Sequence, residues 1–164
     1  MSTAQLVIGN KNYSSWSFRP WLALTKLGVE FEEIRLALFV EGYKQRLLQY
    51  SPAGKVPVYR EGDLVVWDSL AILEHLAQRH PSLWPEAESE RALARSISAE
   101  MHSGFSALRS AMPMNCRASG RRVAISEAAA ADIARVQRIW TECRVAASGR
   151  GPWLFGSFTI ADAM

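Results

Sequence analysis

Strand-length apolar runs dominate the start of the chain, and helical spacing dominates its end. LVIGN, Leu6 to Asn10, is a short β-type run. SFRPWLALTKLG follows, with Trp21, Leu22, Leu24 and Leu27 at helical spacing and Gly28 as the stop. Read with Ser17 as the cap, this helix has Pro20 in its first turn, where a missing N–H costs little. FEEIRLAL is the next strand, with Phe31, Ile34, Leu36 and Leu38 as its apolar side. Residues 39–54 read as a polar turn or short helix ending in SPAG. VPVYREGDLVVW is two β-rich runs around Glu61, Gly62 and Asp63, the pattern of an antiparallel hairpin. Asp68 then caps SLAILEHLAQRH, where Leu70, Leu73, Leu76 and Ala77 form one face.

After Pro81 and Pro85 the period changes. Leu93, Ile97, Met101, Phe105, Leu108 and Met112 recur every three or four residues, which predicts one long helix over 86–112. His102 and Arg109 fall on it and read as surface or dimer residues. Ile133, Val136, Trp140 and Cys143 repeat the pattern behind a Ser126 cap. The order β-α-β, a variable crossover, then β-β-α is that of a thioredoxin-like sheet. The expected fold is therefore an α/β domain over 1–80, arranged βαβ-ββα, a linker over 81–86, and an all-α domain over 87–164. In FTIADAM, Thr159 and Asp162 have the spacing of a capping box, which announces a helix. The chain ends there, so the helical domain reads as incomplete.

Composition narrows the class without naming a function. The 164 residues are 49% hydrophobic and 21% charged, as in a globular protein. The net charge of +3 is mild, and Arg117, Arg121 and Arg122 read as a solvated linker rather than a nucleic-acid footprint. No apolar run approaches membrane-span length, and the N-terminus lacks a signal-peptide pattern. Cys116 and Cys143 lie far apart with no metal-type spacing, which argues against a disulfide framework or a metal site. The cytosol is the expected compartment.

Three stretches carry candidate chemistry. Thioredoxin-type redox proteins place CxxC between the first strand and the first helix, and here the four residues are Ser14, Ser15, Trp16 and Ser17. Serine forms no disulfide, so dithiol exchange is excluded there. Hydroxyls and free N–H groups at a helix start favour an anion, and a thiol held there shifts towards thiolate. The thiol would come from a ligand. The alternative is that Ser17 is a plain helix cap and Ser14 and Ser15 are loop residues. A serine-hydrolase reading fails because no GxSxG elbow is present. The second stretch is GKVPV, where a cis bond before Pro57 would offer the Val56 backbone to an extended peptide, as in strand addition; the alternative is an edge-strand proline. The third is Asp68-Ser69, a cap that also suits a ligand carboxylate through Ser69 and a ligand ammonium through Asp68. A thiol, a peptide-like middle and an amino-acid end outline glutathione.

Along its whole length the chain resembles the cytosolic glutathione transferases, through SSxSxR, KLGVEFE, SPAGKVPV, DSLAILEHL and FTIADAM. It is most similar to the zeta class, whose SSCSxR motif matches at Ser14, Ser15, Ser17 and Arg19. The resemblance implies Ser14 as the thiol-activating hydroxyl with Ser15 as its substitute. It implies glutathione contacts from Ser17, Lys55, Val56, Pro57, Asp68 and Ser69, and a second-substrate contact from Asn115. It also implies a metal-free homodimer that transfers glutathione to a small electrophile, in the manner of a detoxification enzyme. The rival reading is a glutathione-binding or interaction module without turnover. Trp16 stands where the zeta motif has the cysteine that assists isomerisation, so zeta-type cis-trans isomerisation comes third, and neither nucleic acid nor membrane is an expected partner.

Overall fold

A computed structural model describes residues 3–164. The chain divides into two compact units, one ending at His80 and the other running Pro81–Asp162. The first unit orders as β1 (Ala4–Ile8), α1 (Ser15–Leu27), β2 (Phe31–Arg35), α2 (Tyr43–Leu48), β3 (Val58–Glu61), β4 (Leu64–Trp67) and α3 (Ser69–Arg79). Its sheet runs β2-β1-β3-β4. β1 and β2 are parallel, while β3 is antiparallel to both β1 and β4. This is the thioredoxin-like arrangement. Leu6, Val7 and Ile8 are fully buried, as are Val58, Leu24, Ile72 and Leu73. A strand buried on both faces needs such an uninterrupted apolar run.

Two local expectations change. Ser14, not Ser17, is the cap residue of α1, so Pro20 lies a full turn inside the helix. There it offers no N–H to the carbonyl four residues back. The buried face of α1 is Ser17, Arg19, Pro20, Ala23 and Leu24, two of them polar. In β2, Phe31 and Ile34 differ in parity and point to opposite faces, so they do not share an apolar side.

The second unit holds α4 (Glu88–Ser103), α5 (Ser106–Ala111), α6 (Glu127–Ala146) and α7 (Ile160–Ala163). The long helix expected over 86–112 is broken. Gly104 is extended and Phe105 is left-handed at φ 61°, which puts His102 and Arg109 on different helices. Asp132 on α6 accepts from the Leu108 amide at 3.0 Å, and Arg135 forks onto Glu100 at 2.7 and 2.8 Å. The buried stripe of α6 uses Ala129, Val136, Ile139 and Cys143, and Trp140 is half exposed instead. Burial holds the Cys143 thiol pKa above its ordinary value. Arg117, Arg121 and Arg122 are exposed. Among the described residues no helix is long and apolar enough to cross a membrane, and no three His, Cys, Asp or Glu residues are grouped to hold a metal.

Candidate functional site

The three sequence motifs meet at one end of the sheet, and strand direction is the reason. β1 ends at Ile8 and hands over to α1 through residues 9–14. Val7 pairs with Val58, so the antiparallel register carries the Val56–Pro57 peptide alongside the exit of β1. Val58 also pairs with Trp67, and the next residues, Asp68 and Ser69, open α3. The starts of α1 and α3 therefore share one end with the start of β3. Arg19 ties them together, its Nη1 lying 3.5 Å from Ser69 Oγ, fifty residues away in sequence.

Each expected residue has a distinct environment. Ser14 is the α1 cap residue and is nearly buried, yet its hydroxyl makes no cap bond. It donates instead to Ser17 Oγ at 2.9 Å. Ser15 occupies the first helical position, half buried, its amide donating to the Tyr13 carbonyl. Ser17, expected among the ligand contacts, is fully enclosed, and its oxygen accepts from the Gly9 amide at 3.0 Å. Direct contact with a ligand is closed to it; it lies one layer beneath Ser14.

Lys55 is exposed, Val56 half buried and Pro57 buried, and the Val56–Pro57 bond is cis. Asp68 accepts from the Leu70 amide at 2.8 Å, a true cap bond. Ser69 is buried beside Arg19. Asn115 is not part of this cluster. It lies in the second unit, exposed, with its side-chain oxygen accepting from the Arg117 amide in a local turn.

Sequence reasoning passed over two residues. Arg19 entered as a motif match without a role, but it is 2% exposed and stacks 4.2 Å over the Trp16 ring. Its buried guanidinium places a positive charge at this end of the sheet, beside the Ser69 hydroxyl. Gly9 is the other. A Cβ there would stand 3.3 Å from Ser14 Cβ and 2.6 Å from Leu38 Cδ1, so a larger residue would require Leu38 and Ser14 to shift. Its signal was present as the last residue of LVIG before the serines, but its meaning depends on packing.

The site thus offers a hydroxyl at a helix start for an anion, a peptide edge, and a carboxylate near a buried cation. That donor set suits a ligand with an acidic group, an amide backbone and an amino-acid end.

Residues 13–79 match the family described as "Glutathione S-transferase, N-terminal domain". The probable maleylacetoacetate isomerase of Caenorhabditis elegans is 36% identical over 110 residues, covering 66% of this chain and 51% of that protein. A zeta-class glutathione S-transferase of Euphorbia esula is 36% identical over 69 residues, covering 42% of this chain and 31% of that protein. The chain spans about half the length of the first of these relatives. In fold it resembles the theta-class glutathione S-transferase of Xanthomonas axonopodis pv. citri, at 24% identity and a TM-score of 0.67 over 99% of this chain and 79% of that one. Most of the first unit thus matches the glutathione S-transferase N-terminal domain, and the proteins the chain resembles in sequence include maleylacetoacetate isomerases and zeta-class transferases.

Proposed function

We propose that the protein is a glutathione transferase that binds glutathione at the shared end of its sheet and activates the thiol at Ser14. One observation carries the reading: a serine at the start of a thirteen-residue helix leaves its cap role unfilled. An N-cap serine ordinarily satisfies a first-turn N–H. Here the hydroxyl turns to Ser17 Oγ instead of the helix backbone, and from that bond it can be redirected to a sulfur anion at the positive end of the helix. Ser15 is the substitute donor. The cysteinyl part of the ligand lies along the Val56–Pro57 edge, with Lys55 at the glycine end. Asp68 and Ser69 hold the γ-glutamyl end, Asp68 through the ligand ammonium.

The chemistry balances simply. The thiol releases its proton to solvent. The sulfur then bonds to the electrophilic carbon, and the leaving group departs with its electron pair. Lowering the thiol pKa and holding the two reactants together are the enzyme's work. The electrophile contacts belong to the second unit, with Asn115 as one of them, and the family supports a homodimer without a metal. A cytosolic location follows from the same resemblance.

A second reading is favoured by the similarity to the C. elegans probable maleylacetoacetate isomerase. In it the thiolate adds to a cis double bond, the bond rotates, and elimination returns glutathione unchanged. Calorimetric titration with glutathione, an aryl-halide conjugation assay and a maleylacetoacetate isomerisation assay separate the cases. Transfer consumes glutathione and isomerisation does not. Binding without either turnover leaves a glutathione-binding module, and absence of binding overturns all three.

A further inference from the structure

We infer that Ser17 is a positioning residue for the reacting thiol, acting through Ser14 in a chain from the Gly9 amide to the Ser17 hydroxyl to the Ser14 hydroxyl. The inference rests on the glutathione reading above and deepens it. Ser17 is fully buried, so it never touches the ligand. Its oxygen accepts from Gly9 N at 3.0 Å and lies 2.9 Å from Ser14 Oγ.

A serine hydroxyl has one proton and two acceptor positions. In the structure Ser14 directs its proton to Ser17. A thiolate in front of Ser14 needs that same proton. The 2.9 Å bond then survives only if Ser17 turns its own proton onto Ser14 Oγ. Hydroxyl rotation achieves this with no movement of heavy atoms. The Gly9 amide makes the reversal work: it occupies an acceptor position on Ser17 Oγ and leaves the Ser17 proton directed at Ser14. Donors linked in series polarise one another, so Ser14 becomes a stronger donor than an isolated hydroxyl. Gly9 is bare of a Cβ at the place where one would press on Ser14 and Leu38, which keeps the three groups in line.

The test compares wild type, Ser17→Ala, Ser14→Ala and the double variant. Two quantities are read: the pH titration of bound glutathione by thiolate absorbance, and the affinity for S-methylglutathione by calorimetry. Ser17→Ala is expected to raise the bound-thiol pKa by about one unit, a tenfold drop in the thiol's ionisation constant. Affinity for S-methylglutathione, which has no thiol proton, is expected to stay within about twofold. In the Ser14→Ala background the Ser17 substitution is expected to add nothing, because its only route is Ser14.

An unchanged thiol titration in Ser17→Ala overturns the inference. So does an equal loss of S-methylglutathione affinity, which marks a merely structural role. Should Ser17→Ala fail to fold, Ser17→Cys keeps the volume with a weaker donor, and the same two outcomes decide. Wild type failing to bind S-methylglutathione defeats the glutathione reading and this inference together. Binding in wild type with a null Ser17→Ala result defeats the inference alone.

Discussion

Two helix starts face the same end of one sheet, and they use their hydroxyl and carboxylate differently. At α3, Asp68 turns back and satisfies the Leu70 amide, as a cap residue does. At α1, Ser14 turns away from its own helix backbone and meets the Ser17 hydroxyl. Both residues are good cap formers, and both sit at the cap position. The difference is what lies behind them. Behind Ser14 the strand exit brings the Gly9 amide and Ser17 within reach. Behind Asp68 stands the buried pair of Arg19 and Ser69. A cap residue that leaves its cap bond unmade commits its hydroxyl elsewhere, here to the buried Ser17 side chain.

The largest contrast is expected from removing the two side chains. Ser14→Ala deletes a donor to an anion, an interaction of about 1.5–3 kcal/mol, so kcat/KM is expected to fall roughly 10- to 100-fold. The stability cost is expected to be that of the lost Ser14–Ser17 bond alone, about 1 kcal/mol, because no cap bond is lost. Steady-state kinetics and thermal denaturation on the same preparation check both halves. A stability loss with intact activity would mean that Ser14 is a cap after all.

A third helix start, in the second unit, tests the structural end of the scale. Asp162 accepts from the Leu154 amide, the Thr159 amide and the Thr159 hydroxyl, at 2.8, 2.8 and 3.0 Å. Asp162→Ala strands these donors, and Thr159 is buried. The expected cost is about 2–3 kcal/mol of stability, read by denaturant unfolding. Asp68→Ala is smaller, about 1 kcal/mol for the cap, together with weaker glutathione binding by calorimetry. If Asp68→Ala lowers stability but leaves glutathione affinity intact, Asp68 is a cap only.

How much of this was legible in the sequence follows from how local each feature is. The hairpin at Gly62, the stop at Gly28, the Ser126 cap and the Thr159–Asp162 box depend on a few neighbouring residues, and each is present. The strand order followed from the alternation of runs. The break at Gly104–Phe105 was hidden because Phe105 remains buried, so the apolar spacing runs straight across an irregular turn. Trp140 misled for the opposite reason: an aromatic at helical spacing was read as core, while Ile139 beside it is the buried residue. At the site, the motif residues came from pattern, but the Ser14–Ser17–Gly9 chain and the Arg19–Ser69 contact needed strand exit and helix start side by side. Composition alone holds no trace of either.

The smallest expected effect separates the two helices by pH. Far from its cap, α3 carries His75 and Arg79 against Tyr59 and Glu61 of β3. Burial, aided by the Arg79 charge, holds the His75 pKa below its ordinary value of about 6.5. The unfolded chain therefore binds a proton on this residue more readily than the folded one, and stability rises with pH. The contribution is complete above the ordinary histidine range and is lost as pH falls from there through the lower folded pKa. The hydrogen bond from Arg79 pulls the Glu61 pKa below its ordinary value, so that contribution is also present at neutral pH and is lost only at more acid pH. His75→Gln is expected to flatten the shallow slope just below the ordinary histidine value while leaving the acid limb. Denaturation midpoints across that window, beside the pH profile of kcat/KM, make the check. Activity should titrate with the glutathione thiol held at α1 and stay indifferent to His75→Gln. A shift of the activity profile in that variant would mean that the two helices are coupled, and the division between a structural far end of α3 and a chemical α1 would fail.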